Sequence, residues 1–235
     1  MPPIVETQAL TKAYGWQPVL RKLDLSIERG QFVALLGPNG SGKSTLLRLL
    51  TGLSKPTSGT IRVGGWELPR EAAAVRAQIG LVSHKALLYE NLTARENLLF
   101  FCRLYNVSDP EDHIKRGLER VGLTRRGHDL VRTYSRGMLQ RLSIARALIH
   151  DPHVLLMDEP YTGLDVDAAA TLDNLMRDAH SEGHTIIMTT HELDRAATLT
   201  ERAIILSRGV IGYDAPMSAD IAARYFEITG AASAQ

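Results

Sequence analysis

Gly37-Pro38-Asn39-Gly40-Ser41-Gly42-Lys43-Ser44 fits the pattern G-x-x-x-x-G-K-[ST], with Thr45 following it. Glycines at this spacing let successive backbone N–H groups curl around phosphate oxygens, at the positive end of the helix that follows. Lys43 would neutralise the charge of β- and γ-phosphates, and the Ser44 hydroxyl could ligate Mg²⁺. The pattern follows the apolar run 32–36 and opens a helical one, the context that separates a phosphate loop from a glycine-rich turn. A second signal is Val154-Leu155-Leu156-Met157-Asp158-Glu159, an apolar run ending in two adjacent carboxylates. Open α/β sheets bind their ligands at such strand ends. Asp158 would hold Mg²⁺ through water. Glu159 could polarise a water for in-line attack on a γ-phosphate, a general-base role worth about 10²–10⁴-fold. Two adjacent acids at a strand end are common enough alone; the phosphate loop gives them a task.

A third element, Ser135-Arg136-Gly137-Met138, again offers a hydroxyl and backbone donors at the start of a helical pattern. A single phosphate group needs only one such loop, so the second calls for a different explanation.

The elements that must position these residues alternate along the chain. Compact apolar strands are expected at 32–36, 79–82, 154–157, 185–188 and 203–206, and their continuous rather than alternating apolarity implies burial on both faces. Helices are expected at 43–51, 165–181 and 193–200, the order of a parallel sheet with crossover helices. From 84 to 150 no strand is expected, only helices near 93–105, 110–122 and 137–150. Alternation at 4–14 and 19–28, with a further strand over 58–68, indicates a small antiparallel layer, and 230–235 reads as a frayed tail.

With these motifs in this order, the chain resembles the ATP-binding cassette (ABC) ATPase family. The family signature, usually Leu-Ser-Gly-Gly-Gln, is here Tyr134-Ser135-Arg136-Gly137-Met138, with the serine and second glycine kept. The resemblance implies a P-loop NTPase (RecA-like) α/β fold: a core at 1–83 and 151–235, an antiparallel β layer and a helical subdomain at 84–150. It also implies a head-to-tail homodimer sandwiching two ATP, in which Ser135, Arg136, Gly137 and Met138 contact the ATP held by the opposite subunit. That would explain two anion sites in one chain. Tyr14 stands where the family stacks an aromatic on adenine, Thr162-Gly163-Leu164-Asp165 resembles the D-loop, and His191 looks like the switch histidine. His84 stands where a glutamine usually touches Mg²⁺ and the attacking water. Its imidazole could ligate metal or accept from water, or serve coupling only.

The run from Ser83 to Leu98, with histidine at the Q-loop position, resembles the ATP-binding subunits of haem exporters used in cytochrome c maturation, although Lys85 departs from the expected glutamine. The signature and Asp158-Glu159-Pro160-Tyr161-Thr162-Gly163-Leu164-Asp165 also look like that subfamily. The implied function is an ATPase subunit driving separate integral membrane permease subunits, peripheral on the cytoplasmic face of the inner membrane. The alternatives are a soluble ABC ATPase of the iron-sulfur assembly type and an exporter subunit for another substrate. A simple P-loop kinase leaves Ser135-Arg136-Gly137 and His191 unexplained.

Composition narrows the field. The 235 residues are 44% apolar, ample for a core, and 27 Lys and Arg oppose 26 Asp and Glu, so no overall basic field recommends nucleic acid as a partner. The segment 110–150 is nonetheless basic, with nine Arg and Lys against four acids and no aromatic interleaving. It could be a solvated helix face or an attraction for anionic lipid or acidic loops of a membrane partner. One cysteine, Cys102, and a start without a signal-peptide pattern suggest a reducing cytoplasmic compartment. The longest apolar runs, five residues at 32–36 and 98–102, fall far short of the roughly 20 needed to span a bilayer. His180 with His184, and His150 with His153, have ligand-like spacing but no third ligand nearby, so zinc is not expected.

Overall fold

A computed structural model describes residues 2–83 and 85–230. Two sheets divide the work. The first, antiparallel, runs in the order β2 (Gln17–Ile27), β1 (Val5–Tyr14), β4 (Ser58–Val63), β5 (Trp66–Leu68). The expected strand over 58–68 is thus two strands, because Gly64 and Gly65 both take positive φ and turn the chain between them. The second sheet has the order β10 (Val210–Pro216), β9 (Arg202–Ser207), β3 (Phe32–Leu36), β8 (Thr185–Thr190), β7 (Val154–Asp158), β6 (Ile79–Val82). All its neighbours pair in parallel except β10, which folds back antiparallel on β9 as an edge strand. The central strands β3 and β8 are buried along their whole length, as the apolar runs 32–36 and 186–188 within them require.

The helices are α1 (Lys43–Leu50), α2 (Ala72–Ala77), α3 (Ala94–Leu104), α4 (Pro110–Arg120), α5 (Arg136–Leu148), α6 (Val166–Ser181), α7 (Leu193–Leu199) and α8 (Ile221–Thr229). α3 starts where a capping box dictates: Thr93 Oγ1 accepts from Glu96 N–H at 3.1 Å, and Glu96 Oε2 accepts from Thr93 N–H at 2.8 Å. Between β6 and β7 the regular elements among the described residues are helices and short 3₁₀ turns, joined by loops, with one isolated bridge, Thr93 to Leu130. This segment has no core of its own. Leu98, Cys102, Ile114, Leu142 and Ile144 belong to one buried cluster with Phe32, Leu155, Met157 and Met188 of the sheet. The other face of the sheet packs α1 and the antiparallel layer, joining Leu35, Leu156 and Ile187 to Leu46, Leu20 and Ile61. Among the described residues no helix is long and apolar enough to cross a membrane.

The basic segment is partly turned inward. Arg146 is buried and bonds the Leu81 carbonyl, Arg141 donates to the Val121 carbonyl at 2.9 Å, and Arg120 pairs with Glu182 at 2.8 Å. The spaced histidines are also occupied with backbone: His180 meets the Gly30 carbonyl at 2.7 Å, and His184 the Pro152 carbonyl at 2.6 Å.

His150 stacks on Tyr105 with ring centroids 3.8 Å apart, and its Nε2 meets the Ile79 carbonyl at 3.2 Å. Burial, helped by the charge of Arg146, pushes its pKa down to about 4 against an ordinary 6.5. Between these values the unfolded chain binds more protons than the folded one. Stability therefore falls as pH drops from about 6.5 toward 4, by up to about 1.4 kcal/mol per pH unit. His150→Phe keeps the stack but removes the proton, so its melting temperature should fall less steeply over that window. Identical pH profiles would exclude His150 as the titrating group.

Candidate active site

Parallel pairing places the C-terminal ends of β3, β8, β7 and β6 along one edge of the sheet. β3 ends in the phosphate loop, β7 in Asp158, and β8 runs into His191. Residues separated by more than 100 positions are thereby made neighbours at the edge where such sheets bind ligands.

The loop's shape depends on missing side chains. A Cβ on Gly37 would lie 2.3 Å from the Leu206 carbonyl oxygen. One on Gly42, which caps α1 at φ +112, would lie 2.5 Å from Leu20 Cδ2. Pro38 and Asn39 lead through Gly40 (φ +80) into the helix start. The Ser41 hydroxyl is buried with no partner among the described residues. A buried hydroxyl in this state is costly, and it lies in the loop where anion oxygens are expected to arrive. Lys43, 6% exposed, donates from Nζ to the Gly37 carbonyl at 2.7 Å and the Pro38 carbonyl at 3.3 Å. Its pKa lies below the ordinary lysine value because burial penalises the charge, while Glu159 and Asp158 pull it back up. Thr45 is half-buried.

Ser44 Oγ donates to Asp158 Oδ1 at 3.0 Å, and Thr189 Oγ1 donates to the same oxygen at 2.8 Å. Ser44 and Asp158 are hard oxygen donors, few in number and facing the phosphate loop. That set suits Mg²⁺, which keeps waters and shares its remaining positions with phosphate oxygens. Mg²⁺ bound there would neutralise phosphate charge.

Glu159 holds a backbone conformation rare for a residue with a side chain, φ +50, at a cost of about 1–2 kcal/mol. Its N–H is fixed by Thr189, donating to Oγ1 at 2.9 Å and to the carbonyl at 3.2 Å. The turn aims the carboxylate at two partners: Oε1 lies 3.8 Å from Lys43 Nζ, and Oε2 accepts from His191 Nδ1 at 2.8 Å. Since an ionised carboxylate only accepts, the bond assigns a proton to Nδ1 of a ring that is 64% exposed. The arrangement can hold an ionised carboxylate beside a bound polyphosphate, with the imidazole fixing its direction.

Ser135 caps α5, its Oγ accepting from Met138 N–H at 3.3 Å. Arg136 Nε donates to the Thr162 carbonyl at 2.8 Å, and a Cβ on Gly163 would lie 2.6 Å from that nitrogen. Gly137 lets α5 approach Ala168 closely. The side chain of Met138 packs against the core. Asp165 caps α6, with Oδ1 accepting from Ala168 N–H at 2.8 Å. Tyr14, half exposed at the end of β1, has Lys12 Nζ 4.7 Å from its ring centroid. His84 lies outside the described residues. Thr189 is the residue that motif reading missed. The expected strand stopped at 188, yet the Thr-Thr pair before His191 is a signal of hydroxyls at the strand end.

Residues 20–162 match the family model described as ABC transporter. The chain belongs to the ABC transporter family. This ABC ATPase domain is 36% identical over 208 residues to a linearmycin resistance ATP-binding protein of Bacillus subtilis (strain 168), covering 88% of this chain and 67% of that protein. It is 39% identical over 207 residues to a Nod factor export ATP-binding protein I of Paraburkholderia xenovorans (strain LB400), covering 87% of this chain and 68% of that one. Among solved structures, an ATP-binding subunit of an ABC transporter superposes with a TM-score of 0.85 at 31% identity, covering 97% of this chain and 95% of that one. An ATP-binding cassette in a dimeric post-hydrolysis state with ADP and Pi gives 0.82 at 28% identity, over 91% of this chain and 99% of that one. The ABC domain is thus the ATP-binding subunit of a transporter, with the P-loop α/β fold that its motifs imply.

Proposed function

We propose that two copies of this chain dimerise head to tail on ATP, hydrolyse it, and drive export through separate integral membrane permease subunits. What carries the reading is the pairing of Glu159 with His191 at 2.8 Å, beside the Ser44–Asp158 contact at 3.0 Å, all on one sheet edge. Glu159 serves as the base for the attacking water, His191 orients it, and Lys43 with the loop amides holds the phosphates. Tyr14 supports the adenine. Ser135, Arg136 and Gly137 complete the partner's site from the start of α5. The subunit sits peripherally at the cytoplasmic face of the membrane. Purification from detergent-solubilised membranes should recover the chain with its permease subunits; recovery only as a soluble protein would favour an assembly-pathway ATPase.

The cargo reading we favour is haem for cytochrome c maturation, supported by the run from Ser83 to Leu98 and by the signature and acid-pair motifs. The relatives' names, which speak of linearmycin resistance and Nod factor export, support a second reading in which another cargo is exported. Deleting the gene separates them. Loss of c-type cytochromes supports haem export, and intact c-type cytochromes support the other cargo.

A further inference from the structure

The two segments that bring Glu159 and His191 together are joined a second time, away from the phosphate loop. Tyr161, two residues after Glu159, is 5% exposed, and its hydroxyl donates to Asp173 Oδ1 on α6 at 2.6 Å. The other oxygen, Asp173 Oδ2, accepts from Arg195 Nη1 on α7 at 2.7 Å. Arg195 Nε in turn donates to Glu192 Oε2 at 3.0 Å, and Glu192 is the residue after His191. The same guanidinium lies over the Tyr161 ring, its carbon 4.4 Å from the centroid. With the Glu159–His191 bond these contacts close a ring: Glu159, Tyr161, Asp173, Arg195, Glu192, His191.

The ring has a mechanical meaning. The chain at Glu159 holds a strained φ of +50, which persists only if its surroundings over-determine it. Thr189 fixes the residue from the β8 side, and Tyr161 is the next anchor down the chain. His191 is 64% exposed, so little beyond its own backbone and the Glu159 bond fixes its ring. Arg195 holds the side chain of the next residue, Glu192, whose N–H donates to Thr190 Oγ1 at 3.0 Å. Asp173 and Arg195 are charged and only 15% and 25% exposed, so their mutual bonds are shielded far better than a surface pair. Burial and Asp173 raise the Tyr161 pKa, which keeps its hydroxyl a donor.

We propose that Tyr161, Asp173 and Arg195 are positioning residues for ATP hydrolysis: they hold the Glu159 and His191 backbones in the one relative placement that lets the two side chains meet. This rests on the assignment of Glu159 and His191 to hydrolysis. A misplacement of about 1 Å at such a pair can cost on the order of 10²-fold in turnover without touching nucleotide binding.

The test uses the full chain. Tyr161→Phe keeps the ring under Arg195 and loses only the hydroxyl; Asp173→Asn keeps the shape and loses the charge; Arg195→Lys keeps the charge and loses the fork. For Tyr161→Phe and Asp173→Asn, kcat should fall about 10-fold or more while KM for Mg-ATP stays within about twofold. Arg195→Lys should fall between these variants and the parent. In a His191→Ala background the same substitutions should cost less than about twofold further, because the pair that they align is already broken. A lowered melting temperature with unchanged kcat, measured well below melting, would make the ring a structural staple and overturn the proposal. Equal losses in both backgrounds would overturn it too. Glu159→Gln and His191→Ala alone serve as controls: full turnover by both would mean that the catalytic assignment itself fails.

Discussion

Glu159→Gln should slow ATP hydrolysis by about 10²–10⁴-fold while leaving Mg-ATP binding intact. The amide has the carboxylate's shape, and its oxygen can still accept from His191 Nδ1, which lies 2.8 Å from Oε2 in the parent. The backbone strain at φ +50 is the same for either side chain. The substitution removes the negative charge and with it the capacity to take a proton from water. If binding drives the head-to-tail dimer, a chain that binds but does not turn over should accumulate as that dimer in gel filtration with Mg-ATP. Turnover within about twofold of the parent would remove Glu159 from the base's role.

Lys43→Ala should weaken Mg-ATP binding by about 10- to 100-fold, the loss of a charge-assisted hydrogen bond of about 1.5–3 kcal/mol. Lys43 Nζ is held by the Gly37 and Pro38 carbonyls at the loop's entrance, so its charge is committed to the loop and is not free to wander. The loop's glycines, which decide its path, are untouched by the substitution. Glu159 also loses its cationic neighbour at 3.8 Å, leaving the site more negative and more hostile to a polyphosphate. Titration calorimetry reads the affinity directly, and an unchanged value would refute the phosphate-loop assignment.

The parts of the site that could be read from sequence are those carried by contiguous runs. The strands β3 and β7 are buried on both faces and continuously apolar up to the site, so the glycines of 37–45 and the carboxylates that end 154–159 stand out against the strands they terminate. The ring of Tyr161, Asp173 and Arg195 has no such signal. Its members lie on a loop and two different helices, and they meet only through bonds between side chains far apart in the chain. Edge elements are also hidden. β10 alternates between exposed and half-buried positions with Gly212 and Pro216 inside it, and α2 is six residues long with one buried side chain, Val75. Neither has enough buried apolar surface to impose a clear period. α8 has a single fully buried residue, Ile221, and escapes pattern reading for the same reason.

The core shared between the helical segment and the sheet limits how the subunit can move. Leu98, Ile114 and Leu142 press on the layer that contains Phe32, Leu155 and Met188, so a gap opened between them would forfeit close dispersion contacts on both sides. Opening such a gap is therefore costly, and a turn that keeps the apolar contact costs less. Ser135 at the start of α5 is tied to the loop after β7, since Arg136 Nε donates to the Thr162 carbonyl at 2.8 Å and Gly137 admits Ala168, so a turn at this joint would be passed on to the segment that carries Glu159.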